Sequence, residues 1–441
     1  MSAAGRPRVP LYLQVVIAVV LGSTLGVIFK KDPFFFGFGN DQLGELGLLV
    51  IRLLKALAVP LVFFAILDAF FKTRISGKSG LKLIGICLMN VSVAFVIGLT
   101  LMNTLQPGKG AGDALQALLA DDKAASAGPK GLPPGASLSP MAAISSYVPE
   151  SLVDPFVKNS IIPVVLLALL IGAAMRRVKD VPDGAEEDIA VVERFVHGSF
   201  RVLTLVLFWV VHLVPWAVFG ILAKVVGAAG IGVYASLGPL LGVVLAGFAL
   251  HALVYYPLMA WLVGGRTPKE YLGKGADAIL TGLSTNSSLA TVPVTLRCLT
   301  EKMKVSTESS RLAALVGTNL NNDGITLYEA MAALFIAQAL GMDLSLTQQI
   351  TVVLASLMAG IGIAGIPEAG LVMLPLVLGA AGLPTPVVAV AMGFVLPVDW
   401  IIARCRSAVN VMSDMLVAIM LDGKQRAAPS GSAPPAPGSQ S

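Results

Sequence analysis

Apolar residues run along this chain in blocks longer than most soluble helices need. A helix crosses a hydrocarbon core with about 20 consecutive apolar residues. Blocks of that kind cover about 11–29, 44–71, 80–105, 158–175, 195–227, 232–264, 311–340 and 386–421, which predicts eight transmembrane helices. Two further apolar stretches, about 268–300 and 347–384, are interrupted near their middles. The first breaks at Gly282-Leu283-Ser284-Thr285-Asn286-Ser287-Ser288 and carries Thr291-Val292-Pro293 just beyond; the second breaks at Gly360-Ile361-Gly362-Ile363-Ala364-Gly365-Ile366-Pro367-Glu368. Irregular backbone at membrane depth is tolerated only inside protein or beside water. Paired broken segments in the two halves of a membrane chain point toward a transporter's binding region. Each stretch is therefore expected to be a re-entrant helical hairpin; two kinked spans are the plainer alternative.

Composition agrees. Of 441 residues, 56% are hydrophobic and 13% charged, with a mean hydropathy of +0.83. Soluble domains carry about 25% charged residues, so the fold class is an all-α integral membrane protein. A net charge of +5 spread over the chain makes no basic face and excludes a nucleic-acid partner. Positive charge instead marks alternate loops: Arg6 and Arg8; Lys72, Arg74, Lys78 and Lys82; Arg176, Arg177 and Lys179; Arg266, Lys269 and Lys274. By the excess of Lys and Arg in cytoplasmic loops, the chain reads as a multi-pass protein of the cell (inner) membrane with both termini cytoplasmic. Lys30 and Lys31 fall on the opposite side. The first span lacks a small-residue cleavage pattern and reads as retained. Residues 1–10 read as a cytoplasmic N-terminus, 106–140 as an external loop and 425–441 as a disordered cytoplasmic tail. Cys87, Cys298 and Cys405 make no metal-ligand spacing.

The candidate chemistry lies in the membrane. An ionisable side chain at mid-membrane costs at least ~2.5–3.5 kcal/mol, and the last span holds Asp399, Arg404, Arg406, Asn410 and Asp414. Asp399, Arg406, Asn410 and Asp414 share one helical face through position 403. Arg406 can grip a carboxylate with two parallel hydrogen bonds, while Asn410 and Asp414 offer oxygens suited to a hard cation. An internal ion pair of Arg406 with Asp399 or Asp414 is the plainer reading. Arg404 falls off the face. Within the span 311–340, Gly317-Thr318-Asn319-Leu320-Asn321-Asn322-Asp323-Gly324 is poor in helix formers. It predicts unwound backbone whose carbonyls, beside Asp323, could hold a coupling cation. Glu329 and Glu368 are proton-carrier candidates, each equally readable as a paired or solvated acid. The serines near 287 lack the GxSxG elbow of a hydrolase. His197, His212 and His251 share no motif and read as amphipathic filler, so no enzyme is expected.

Taken in order, these residues resemble the dicarboxylate/amino acid:cation symporter family, which includes the glutamate (excitatory amino acid) transporters and bacterial dicarboxylate carriers. Thr291-Val292-Pro293-Val294-Thr295 is similar to the family's first hairpin and Asn321-Asn322-Asp323-Gly324 to its Asn-Met-Asp-Gly signature. Leu327-Tyr328-Glu329-Ala330 and Phe335-Ile336-Ala337-Gln338 continue that span as in animal members. Ala364-Gly365-Ile366-Pro367 resembles the second hairpin's tip, and Val398-Asp399-Trp400, Arg406-Ser407 and Asn410-Val411 the last helix. The resemblance implies eight helices, two re-entrant hairpins, inverted repeats, elevator-type motion and a homotrimer in lipid. The transporter unit would span 11–424, with a scaffold over about 11–72 and 140–227 and a transport domain over about 80–105 and 232–421. Carried over by position, Arg406 would bind the substrate's distal carboxylate. Asn410, Ser407, and backbone at Ser287, Ser288 and the Gly365-Ile366 tip would assist. Gly317, Asn321, Asp323, Asn410 and Asp414 would fall at cation positions, with Asn90 contributed by span three.

Departures from the family pattern bear on the substrate. Amino acid carriers place an Asp where this chain has Ala403. An unpaired ammonium in a dry site costs several kcal/mol, so a C4-dicarboxylate moved with Na⁺, H⁺ or both is the favoured expectation. No cofactor is expected. An acidic amino acid, with Glu368 replacing the missing Asp, is the alternative; an anion channel along an Arg-lined path is the alternative of another class. Asn322, Ile325, Ile363 and Leu289 replace the family's Met, Thr, Thr and Ser.

Overall fold

A computed structural model describes residues 11–34, 36–72, 77–121, 148–179, 186–361 and 369–423. Outside the described residues lie both predicted tails, most of the predicted external loop, and Gly365, Ile366 and Glu368. Every regular element among the described residues is helical. The main helices are α1 (Leu11–Phe29), α2 (Asn40–Lys72), α3 (Gly77–Leu105), α4 (Ile161–Lys179), α5 (Glu186–Val211), α6 (Val214–Ala229), α7 (Val233–Leu262), α8 (Pro268–Thr285), α9 (Ser288–Arg297), α10 (Asp323–Ala339), α11 (Leu346–Ile361), α12 (Ala369–Ala380) and α13 (Thr385–Asp422). Among the described residues, six helices are individually long and apolar enough to cross a bilayer: α2, α3, α4, α5, α7 and α13.

Two expectations need correction. The apolar block 195–227 is not one helix but two, α5 and α6, because a tight turn at His212-Leu213 closes α5. Pro215, which has no N–H to continue a helical ladder, stands in the first turn of α6. Second, the stretch after Gln106 is not loop throughout, since Pro107–Ala111 and Gly112–Asp121 are helical. The unwinding expected within the block 311–340 is present: residues 312–316 form a wide π-turn and 317–319 a 3₁₀ turn, and a regular α-helix resumes at Asp323. Just before it, Asn322 leaves the helical region altogether, at φ −107° and ψ 50°.

The first interrupted stretch folds as expected of a hairpin. Thr267 and Glu270 form a reciprocal cap at the start of α8, followed by Pro268, which satisfies two orphan backbone donors. At the tip, Asn286 takes left-handed backbone at φ 51°. The Ser287 hydroxyl then accepts from the Ala290 N–H at 3.1 Å and starts α9. Asn and Ser are favoured here because each meets a backbone need that an apolar residue cannot. The second stretch likewise forms two arms, α11 and α12, on either side of 362–368.

Packing divides by partner. Helices α1 and α2 lie along α6, and α2 also meets α4 and α5. At Gly26 a side chain would meet the Ala223 carbonyl and Val226 at 2.8 Å, so glycine permits the close α1–α6 approach. Around α13 gather α7, α8, α9, α10 and α12, while α3 packs on α10 and on α13. The second hairpin bridges the groups, with α12 on α2 and α13, and α11 on α10 and α4. In its most apolar window α13 is 78% buried, and that enclosed helix carries the polar residues of the site.

Candidate functional site

Helix α13 can hold Arg406, Ser407, Asn410 and Asp414 away from lipid because neighbouring helices and hairpins cover it. Arg406 is 2% exposed. Its guanidinium lies 5.2 Å from the Tyr328 ring centre, a cation–π distance. Its Nη1 stands 4.0 Å from Asp399 Oδ1, beyond hydrogen-bond reach. Nη1 has no hydrogen-bond partner, and neither do the buried hydroxyls of Ser288 and Ser407. These groups border a narrow recess between the tip of the first hairpin, Ile325 of α10, Ala369 of α12 and Asn410 of α13. Buried donors are ordinarily satisfied. Three unmet ones around one recess describe a receptor for an acceptor-rich ligand such as a carboxylate.

Gly370 lets this geometry exist, since a Cβ there would land on the guanidinium. Gly324 serves similarly on the other side: its N–H donates to Asn410 Oδ1 at 2.8 Å, and a Cβ would meet the Arg406 carbonyl at 2.5 Å. The Asn410 amide then donates to Asn322 Oδ1 at 3.3 Å. Asn322 donates to the Gly360 carbonyl at 2.7 Å and to the Thr318 carbonyl at 3.3 Å, tying the unwound strand to the second hairpin.

A second polar cluster follows along α13. Asp414 accepts from Thr318 Oγ1 at 2.6 Å and from Asn321 Nδ2 at 3.5 Å. Asp323 Oδ2 accepts from Ser413 Oγ at 2.6 Å, from Tyr256 Oη at 2.9 Å, and lies 3.4 Å from His251 Nε2. Asp323 Oδ1 and Asn321 Oδ1 are buried and have no partner. Asn90 joins through its own amide, which donates to Ser413 at 3.5 Å, and its carbonyl, which accepts from Tyr255 at 2.9 Å. The Gly317 carbonyl accepts the Leu320 and Asn321 N–H groups, both at 2.7 Å. Two carboxylates and amide oxygens, with acceptors left over, are hard-oxygen chemistry suited to an alkali cation rather than to a thiol- or imidazole-seeking metal.

The structure thus brings Arg406, Ser407, Asn410, Ser287 and Ser288 to one recess, and Asn321, Asp323, Asp414, Asn90 and Gly317 to the network beside it. Ala403 is fully buried and does not border the recess. Glu329 is also fully buried, with both carboxyl oxygens unpartnered, and stands apart from the recess lining. Arg404 donates to the Trp400 carbonyl at 2.8 Å. Gly365, Ile366 and Glu368 lie outside the described residues.

Treating all three histidines as filler was an error for His251. It is fully buried, stacked on Tyr255 at 5.1 Å between ring centres, and edge-on to Tyr256 at 4.5 Å. Tyr256, Ser413 and Thr318 were missed with it. The available signal was a His followed by Tyr255-Tyr256-Pro257 inside an apolar block. A wide turn at Leu250–Tyr255 aims these side chains inward, and such turns recur at functional sites.

Broken helices that enclose a polar recess and a cluster of hard oxygens inside a helical membrane protein have the layout of a secondary transporter. The chain belongs to the sodium:dicarboxylate symporter family, whose family model matches residues 11–424. It is 28% identical over 452 residues to excitatory amino acid transporter 3 of Mus musculus, covering 92% of this chain and 83% of that protein. It is also 40% identical over 183 residues to excitatory amino acid transporter 1 of Rattus norvegicus, covering 42% of this chain and 33% of the relative. A putative sodium-dependent excitatory amino acid transporter of Caenorhabditis elegans, glt-4, is 38% identical over 217 residues, covering 48% and 42%. All three are named as excitatory amino acid transporters and none as a dicarboxylate carrier.

Proposed function

We propose that this protein is a secondary symporter that carries an acidic amino acid of the glutamate or aspartate type across the membrane together with Na⁺. The observation that carries the reading is Arg406: a buried guanidinium, one nitrogen without a hydrogen-bond partner, facing a recess bordered by unpaired serine hydroxyls. Arg406 grips the side-chain carboxylate of the substrate, and Ser407, Asn410, Ser287 and Ser288 orient it. Asp323, Asp414 and Asn321 hold the cation, whose charge offsets that of the cargo. Gly317, Asn90 and Asn410 complete the cation positions. Glu329, fully buried and next in sequence to the Tyr328 that Arg406 faces, is the proton carrier of choice, with Glu368 the second candidate, and backbone at Gly365 and Ile366 assists in binding the substrate. The chain works as a homotrimer in the cell membrane with cytoplasmic termini. The body of α3 and α7–α13 moves as an elevator against a scaffold of α1, α2 and α4–α6.

A C4-dicarboxylate remains the second reading on one specific ground: no carboxylate borders the recess among its described residues, so nothing there neutralises a substrate ammonium. Uptake into proteoliposomes tests both. With Na⁺ and pH gradients imposed separately, labelled aspartate should accumulate above equilibrium under the Na⁺ gradient, and a pH gradient acting through Glu329 should add to that accumulation. Accumulation of succinate that aspartate does not inhibit would select the second reading. Gradient-independent equilibration of either anion would reject symport.

A further inference from the structure

A larger cleft lies away from the recess, where the second hairpin meets α2 and α4. Its cavity volume is about 400 Å³. Lys55, Asn159, Ser160 and Thr351 contribute polar groups to its lining, and apolar side chains of α12 and α13, such as Leu376 and Val388, line it as well. Lys55 sits near the middle of the 33-residue α2 and is half-buried. Its ammonium makes no hydrogen bond or ion pair among the described residues. Lys158, the other cation at the cleft, is already engaged by Asp154 at 2.7 Å.

An ammonium inside an apolar span is retained at a cost unless something compensates it. Water alone would compensate the charge but would also wet the apolar lining. A small free anion would answer Lys55 and leave that lining bare. A phosphate group attached to an acyl chain meets both requirements. We propose that this cleft is a binding site for a phosphate-bearing anion, supplied by the headgroup of an anionic phospholipid whose chain lies along the apolar lining. The phosphate accepts from Lys55, with the hydroxyls and amide of Ser160, Thr351 and Asn159 around it. The site does not depend on which substrate the recess takes. Because the occupant touches both the second hairpin and helices α2 and α4, its presence couples the two groups of helices.

The test uses the full chain, purified in detergent and incubated with phosphatidylglycerol or phosphatidylcholine, with bound lipid counted by native mass spectrometry. Wild type should retain phosphatidylglycerol in preference to phosphatidylcholine. Lys55→Gln should reduce that preference by about tenfold, the scale of one charge-assisted hydrogen bond, and Lys55→Arg should keep it. Leu376→Trp, which fills the cleft and leaves the charge, should also expel the lipid and guards against a folding defect in the Gln variant. Equal retention by wild type and both weakening variants would overturn the site. Displacement of phosphatidylglycerol by inorganic phosphate alone would overturn the lipid as its source.

Discussion

Adding one methyl group at Gly370 should separate substrate recognition from folding. A Cβ there falls on the Arg406 guanidinium, whose Nη1, Cζ and Nη2 are its three nearest atoms. Overpacking costs about 1–3 kcal/mol where the surroundings cannot yield. Here the crowded group is the free end of a long, flexible side chain, so the guanidinium yields and the helix does not. The stability cost should therefore sit near the low end, about 1 kcal/mol. Recognition should suffer more. Losing one charge-assisted hydrogen bond to a carboxylate costs about 1.5–3 kcal/mol, or roughly 10- to 150-fold in apparent affinity. The assay is the KM for Na⁺-driven uptake by Gly370→Ala in proteoliposomes, with Tm measured on the same preparation. A KM unchanged within twofold, at unchanged Tm, would refute the placement of Arg406 at the substrate.

Other outcomes follow from the same contacts. Asp323→Asn should raise the Na⁺ concentration for half-maximal uptake by about tenfold or more, and Tyr256→Phe, which removes one of its donors at 2.9 Å, should raise it by less; sodium titration of uptake checks both. Ala403→Asp should weaken inhibition by succinate by like-charge repulsion, read as an increased inhibition constant; no change would mean that position 403 acts on the site neither directly nor through Arg406. Asn322→Ala leaves the Gly360 carbonyl without its 2.7 Å donor and removes the link to Asn410. It should destabilise the protein by about 2–3 kcal/mol, seen as a lower Tm in detergent.

Much of this architecture is legible in the chain because the bilayer punishes irregular backbone. The Ser-Asn break at 284–288 favoured a hairpin tip over the plainer kinked span, and Asn286 and Ser287 take the backbone and capping roles that their side chains suit. The Asn-Asn-Asp-Gly run predicted unwound helix, and the helix does begin at Asp323. Apolar runs alone could not reveal the α5–α6 break, since Phe208 to Trp216 is apolar apart from His212 and only Pro215 hints at a restart. His251 was overlooked for a different reason. The Tyr255-Tyr256-Pro257 run beside it is only a weak local signal, and its partner Asp323 is 72 residues away. Ala403 pointed to a substrate without an ammonium by chain position, yet the recess does not include Ala403.

If Arg406 grips the carboxylate that the sodium gradient moves, removing its guanidinium should abolish uptake. Accumulation of labelled aspartate under an inward Na⁺ gradient is compared for wild type and Arg406→Ala, with size-exclusion profiles confirming folded protein. Wild type should concentrate aspartate inside the vesicles, and the variant should leave it at the level seen without sodium. Sodium-driven accumulation by Arg406→Ala equal to wild type would remove Arg406 from the substrate site.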